Sequence, residues 1–368
     1  MADFTFVINP TNDDEPDLVA EEQDIVAFRI YERLSGMDPT LDLEKQDLRK
    51  RAPEDDSPES PFDIRGMRHA PPVLNNQETV QPPYYLRVLL SPPVIAEIDD
   101  LSDLLARSAR LTMTDNLGAR RHVRGLILRA MNRTGPFGRS NVVELQVYPT
   151  LWATALSEKS RVWRNVDSVA VLRQILAEYR PEVAEVPTVV DQALNGQAPE
   201  QPPTRECVIQ WAESDFAFVS RLLERDGIYY FFTHEENQVN LHLADMRTPY
   251  SEGFVPHRHL ALEATLGPGS ELFDDHASFL SHHVQTTPRS YRVADYNPAT
   301  ADTVLDYRSP SEGMSALEVY DYPGEFASLR TAPTVAGRRH TAIKARQSVI
   351  AGASRCPFLT AGHAVTLP

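Results

Sequence analysis

The sequence predicts a mixed α+β fold dominated by β structure, with several antiparallel hairpins and three modest helices. Three observations carry that expectation. Short alternating runs recur along the chain, such as Phe4-Thr5-Phe6-Val7-Ile8 and Val239, Leu241 and Leu243 around Asn240 and His242, and a period of two is that of half-buried strands. Sustained helical periods are confined to three stretches. Between these segments lie proline-, glycine- and polar-rich turns, Gly135-Pro136-Phe137-Gly138 among them.

Composition narrows the class. At 368 residues the chain is long enough for two or three domains with real cores. Its 42% hydrophobic and 24% charged residues are ordinary for a globular protein. A formal net charge of −16 argues against nucleic acid or an anionic membrane as the main partner. Cys207 and Cys356, far apart in sequence, offer no disulfide framework and suit a reducing cytosol. Each is expected to fill a core gap as a small hydrophobe. No apolar run approaches the ~20 residues of a membrane helix, and the acidic N-terminus lacks a signal-peptide layout. A protein of this kind would leave the cell only by a route that reads no N-terminal signal.

In chain order, residues 4–8 and 25–34 read as the first strands, with Val26, Phe28 and Ile30 on one side of the second. Residues 84–91 look like its partner. Between them, residues 37–83 hold eight prolines and ten acidic residues with no sustained period, so an inserted, largely solvated loop is expected, with one short helix near 41–51. A short helix is expected at 98–105, then strands at 109–114, 121–131 and 141–148. Arg120, Arg121 and Arg124 form a basic cluster that could hold an anion but reads better as one charged strand face. Val169, Leu172, Ile175, Leu176 and Tyr179 make an amphipathic helix capped by Asp167 or Ser168. Residues 182–203 read as a polar connector.

Residues 204–245 are the densest stretch. Cys207-Val208-Ile209-Gln210-Trp211 alternates as a strand with Cys207, Ile209 and Trp211 on one face, built for packing. Ser214 sits where a helix N-cap belongs, with Glu213 and Asp215 beside the positive end of the helix dipole. Phe216, Val219, Leu222 and Leu223 form one apolar stripe, and Gly227 ends the helix in the left-handed conformation. Residues 228–232 and 239–243 then read as a hairpin around the polar turn 234–238. Phe218 lies off the stripe and is expected to be buried against a second element, with the 239–243 strand as the candidate. Beyond Asp245, strands are expected at 279–284, 291–296 and 317–322, and a third helix at 335–350.

This stretch also resembles a known signature. Gln210, Glu213, Ser214, Asp215, Phe218, Val219, Arg221, Leu222, Glu224, Gly227, Ile228, Tyr230 and Phe232, closing with Leu243-Ala244-Asp245, match in type and spacing the VgrG proteins. These are the tip proteins of bacterial type VI secretion, related to the hub proteins of contractile phage tails. Pro149, Leu151, Trp152, Arg161, Trp163 and Ser168, the string 318–324, and the strings 352–356 and 359–363 extend the resemblance from about Ile25 to Pro368, interrupted by the 37–83 insertion. It implies two barrel-like antiparallel β domains with smaller helix-containing subdomains: residues 1–158 as the first barrel-like domain with the 37–83 loop inserted, 159–250 as a helix and hairpin subdomain, and 251–368 as the second barrel-like domain. It also implies a homotrimer that meets a hexameric tube protein, baseplate components and a spike domain or chain, and possible effectors as cargo. Such a hub would assemble in the cytoplasm and be delivered outside the cell or into a target cell. Family members continue into a small oligonucleotide-fold-like domain and a β-helical needle, and the chain ends before either. The expectation is therefore a fragment of a longer protein, or a spike carried on another chain.

No catalytic, cofactor or metal site is expected. Glu213 and Asp215 form a carboxylate pair already explained by a helix start. His257 with His259, His282 with His283, and His234 with His242 lack a third ligand at recognised spacing. The run 351–356 lacks the glycine of a nucleophile elbow, and there is no P-loop or dinucleotide fingerprint. The residues predict a structural or binding protein rather than an enzyme.

Overall fold

The computed structural model describes residues 3–9, 17–21, 24–32, 82–91, 100–114, 118–134, 141–179, 188–191, 202–245, 251–252, 261–262, 276–310, 317–326, 328–354 and 358–364. Among them, β1 (Asp3–Ile8), β2 (Leu18–Ala20), β3 (Ile25–Glu32), β4 (Tyr84–Leu90), β5 (Ser108–Thr114), β6 (Arg120–Thr134) and β7 (Asn141–Tyr148) form one sheet, in the order β2-β1-β5-β6-β7-β4-β3. Every pairing within it is antiparallel. The sheet curls until Phe4 of β1 meets Phe28 of β3, ring centroids 5.0 Å apart. A register shift between Ile127 and Arg129 helps β6 bend around the curve. Alternate residues such as Phe6, Ile8, Leu86, Val88, Leu90, Leu111 and Met113 fill the inside, as the period of two requires.

The predicted pairing of residues 25–34 with 84–91 is present as β3 and β4. All but its last two residues, Pro82 and Pro83, of the inserted loop 37–83 lie outside the described residues, as does the 135–138 turn. The helix expected at 98–105 is a single 3-10 turn, Leu101–Leu104, whose first turn is capped by the Asp100 carboxylate accepting from the Ser102 N–H at 2.9 Å. One feature of the sheet had no sequence signal. The Arg87 guanidinium donates to both oxygens of buried Glu144, at 2.6 and 2.7 Å, and Gln146 donates to the same carboxylate at 2.8 Å. A buried carboxylate survives only with such partners.

The same core continues into the middle of the chain. After one helical turn at Thr150–Ala153 come β8 (Glu158–Val166), α1 (Ser168–Glu178), β9 (Thr188–Asp191), β10 (Arg205–Ser214), α2 (Asp215–Arg225), β11 (Tyr229–His234) and β12 (Val239–Ala244). Asp167 is the cap of α1, accepting from the Ala170 N–H at 2.7 Å. Rings carry the contact from sheet to helix: Tyr148 stacks on Trp152 at 6.4 Å, and Trp152 meets Phe216 of α2 edge-on at 5.0 Å. β11 and β12 form the expected hairpin. The connector 182–203 contains β9, which adds in parallel to the free side of β12; Val189-Val190 supplies the β-branched pair that the polar composition around it obscured.

The remaining elements are β13 (Ser251–Glu252), β14 (Ala261–Leu262), β15 (His276–Val284), β16 (Ser290–Asp295), β17 (Leu305–Arg308), β18 (Glu318–Asp321), α3 (Ala332–Lys344), β19 (Ser348–Ser354) and β20 (His363–Ala364). β16 lies between β17 and β18, and α3 covers that sheet over a small core of Val293, Leu305, Phe326, Ala332 and Ala336. β15 pairs with β14 and β19, and β13 with β20. The helix expected at 335–350 therefore stops at Lys344. Val349 and Ile350 belong to β19, where β-branched residues find a strand partner in β15. Throughout, the described chain is β-dominated α+β, as predicted.

Candidate functional site

The signature stretch folds as one unit of strand, helix and hairpin, and its polar residues serve a hydrogen-bonded network. β10 pairs with β8 in an antiparallel ribbon whose register shifts between Gln210 and Glu213. Ala212 takes φ +45° in that bulge, and its N–H donates to Ser160 Oγ at 3.0 Å. The bulge delivers the chain to Ser214, whose hydroxyl caps α2 by accepting from the Ala217 N–H at 3.1 Å. Asp215 follows, wholly buried. Its Oδ1 accepts from Arg161 at 2.6 Å and from Gln210 at 2.7 Å, and its Oδ2 from the Tyr179 hydroxyl at 2.8 Å, with Lys159 Nζ 3.2 Å away. Arg161 also donates to Glu178 at 2.7 Å and to Gln210 Oε1 at 3.0 Å. One carboxylate thus joins β8, α1, β10 and α2.

Electrostatics follow from this geometry. Burial pulls the Lys159 ammonium down, but hydrogen bonds to Glu178 and Asp215 outweigh it and hold the pKa above its ordinary value. Burial first, then Asp215 beside it, raises the Tyr179 phenol. Glu213 is not part of a carboxylate pair with Asp215. It forms an ion pair with Arg221, whose guanidinium also lies over the Phe218 ring. A general acid or base needs an accessible, uncommitted oxygen, and both Asp215 oxygens are occupied by donors.

The other sequence candidates are dispersed. Arg121 pairs with Glu32, while Arg124 and Arg110 donate to the Glu236 carbonyl in the β11–β12 turn at 3.1 and 2.7 Å. The three arginines are therefore not one strand face: Arg124 of β6, with Arg110 of β5, clasps the hairpin, while Arg121 points to the opposite side of β6 and pairs with β3. His234 is half-buried, with its Nε2 shut off from solvent and its Nδ1 accepting from the Arg124 N–H at 3.2 Å. Burial, with Arg121 and His122 adding to it, pushes its pKa down to about 3. His242 shares a hydrogen bond with Thr233 Oγ1 at 2.7 Å, His282 with Ser348 Oγ and His283 with Ser281 Oγ, each at 2.8 Å. His257 and His259 lie outside the described residues, as does Cys356. Among the described residues no group of three or more His, Cys, Asp or Glu could hold a metal ion.

One expectation about this unit holds and one is corrected. Phe218 is buried against a second element as expected, its ring stacked on Trp163 of β8 at 6.3 Å and sharing one core with Val239, Leu241 and Leu243. The face of Cys207, Ile209 and Trp211 does not pack. Cys207 is an exposed free thiol, Ile209 is 54% exposed and Trp211 is 77% exposed; Val162, directly opposite Ile209, is 61% exposed. The inner side of the ribbon, with Val208 and Gln210, takes all the burial. Sequence reading missed β8 itself, although Lys159, Arg161 and Trp163 alternate with Ser160, Val162 and Arg164, which is the period of a strand.

Comparison with known proteins bears on this unit. A family model described as phage tail baseplate hub (GPD) matches residues 77–368. The chain is 27% identical over 279 residues to the type VI secretion system spike protein VgrG1b of Pseudomonas aeruginosa, covering 73% of this chain and 35% of that protein. It is 26% identical over 270 residues to VgrG1c of the same organism, covering 72% and 35%. The chain thus spans about a third of the length of the curated relatives it matches. The 43 kDa tail protein of prophage MuSo2 from Shewanella oneidensis superposes with a TM-score of 0.49 at 8% identity, over 77% of this chain and 80% of that one. With most of its length matched by the family model, signature unit included, the chain belongs to the phage tail baseplate hub family.

Proposed function

We propose that the chain is the hub part of a type VI secretion tip protein, a non-enzymatic structural adaptor that works as a homotrimer between a hexameric tube and a trimeric spike. The exposed apolar face of the β8–β10 ribbon carries this reading. Val162, Ile209 and Trp211 together present an apolar patch to solvent, and patches of that kind mark contact surfaces. It lies beside a signature whose buried polar groups are engaged in holding the fold. A threefold spike must meet a sixfold tube, and two barrel-like domains per chain would make a trimer quasi-sixfold. On this reading residues 1–158 and 251–368 supply the two barrel-like domains and 159–250 the helix and hairpin subdomain between them.

The family also includes hubs of phage tails, so the hub of a prophage or phage-tail-like particle is the second reading; it differs in the particle, not in the contacts. Baseplate components, a spike and possibly effectors would be the other partners. Assembly would take place in the cytoplasm, followed by delivery outside the cell or into a target cell. Among the described residues no helix is long and apolar enough to cross a membrane. The ribbon assignment is tested by Trp211→Ser. Self-association in sedimentation should weaken while the near-ultraviolet spectrum stays that of a folded chain. Unchanged association would remove the ribbon from the interface.

A further inference from the structure

The β16–β18 sheet and α3 stand on a small apolar core of their own, separate from the large one that unites the first sheet with the signature unit. Charged groups bridge the two. Glu325, in the loop between β18 and α3, places Oε1 2.6 Å from Arg225 Nη1 at the end of α2, and Oε2 3.4 Å from Arg205 Nε at the start of β10. Arg205 in turn grips buried Asp226 at 2.7 and 3.1 Å. Next to it, Gly227 leaves room for the Arg338 stem of α3, whose carbons would lie 3.0–3.2 Å from any Cβ there. The junction between the units is therefore built on ion pairs across a close backbone approach.

The loop presenting Glu325 is itself held firmly. The Gly324 N–H donates to the Ala294 carbonyl at 2.8 Å, the Phe326 N–H donates to Asp295 at 3.1 Å, and Arg339 bridges Asp321 and the Gly324 carbonyl. Glu325 sits between these anchors at φ +58°, a left-handed conformation unfavourable to a residue with a Cβ. Strain of this kind persists where surrounding contacts over-determine it, and it clusters where a conformation has a purpose. Here the purpose is to aim one carboxylate at two guanidinium groups of another unit.

We propose that Glu325 is an ionic pin: it fixes the pose of the β16–β18/α3 unit against the signature unit, and its release lets the unit pivot with both cores intact. The geometry alone supports this, so it stands or falls independently of the trimeric hub. The Glu325 pairs at the junction are partly buried, so screening should loosen it.

The test is a distance measurement on the full chain. Spin labels are placed at Gln174→Cys on α1 and Thr303→Cys on the β16–β17 connection, both exposed positions, with Cys207→Ser and Cys356→Ser removing other thiols. Labelled protein is diluted with unlabelled protein so that only distances within one chain are read. With Glu325 intact at low salt the distance distribution should be narrow. Glu325→Gln should broaden it on the order of twofold, as should about 1 M salt, with no further effect of salt on the variant. Asp306→Asn, which breaks the Arg292 pair inside the β16–β17 hairpin, should leave it narrow. A distribution that ignores salt overturns the pin even if the variant fails to fold. So does equal broadening in Glu325→Gln and Asp306→Asn, which would place the softness within the unit rather than at the junction.

Discussion

At the scale of single residues, three positions make sharp predictions. His234 has its pKa depressed to about 3 by burial, against an ordinary 6.5. Between those values the unfolded chain binds the proton and the folded one does not, so the stability tied to neutral His234 is full above about pH 6.5 and is lost as pH falls toward 3. The loss from this group between pH 7.5 and pH 5 is about 2 kcal/mol. Urea unfolding at the two pH values should show that difference shrink in His234→Gln, whose amide oxygen can still accept from Arg124. An unchanged pH dependence would assign the acid sensitivity to other groups. Asp215→Ala would leave Arg161 and Lys159 without their buried counter-charge, a change that typically costs ~3–5 kcal/mol. Denaturant unfolding measures it, and a loss under 1 kcal/mol would mean the network is ornamental to stability. Gly227 at φ +70°, facing Arg338, should lose about 1–2 kcal/mol on substitution by Ala. Of these roles, the Gly227 conformation and the Ser214 cap were legible in sequence. The Asp215 network was not, because apart from Gln210 its donors come from β8 and the C-terminal end of α1, thirty or more residues away, and only the fold brings them together.

Elements show a similar division. Strands and helices with a strong period were read correctly: β1, β3–β7, the β11–β12 hairpin, α1 and α2 all stand where apolar spacing put them. Errors arose where a local signal competed with a distant partner. β9 is short and set in polar sequence, and is a strand through its pairing with β12. Residues 348–350 look like a continuation of α3, yet β15 recruits them. The apolar side of β10 was taken for core because alternation reveals two faces without saying which is covered. Phe218 and Leu223 test the two sides of α2. Both are buried, so Phe218→Ala should cost ~3–5 kcal/mol and Leu223→Ala ~2–5 kcal/mol in denaturant unfolding. A neutral Phe218→Ala would show that the Trp163 contact contributes little and that α2 depends on one face alone.

For the whole molecule, the family and the β-dominated class were legible because the signature keeps residues that build a shared scaffold: a cap, a satisfied carboxylate, a left-handed glycine and an apolar stripe. The oligomer is less legible, since one chain displays the surface that needs covering without displaying what covers it. The central claim is that three copies of this hub close into a ring through such surfaces. Sedimentation equilibrium of the purified chain over a range of concentrations, alone and with tube protein, tests it most directly. The account predicts a reversible shift from one chain to three, strengthened by the tube protein. A mass that stays that of a single chain at high concentration with tube protein present would contradict it.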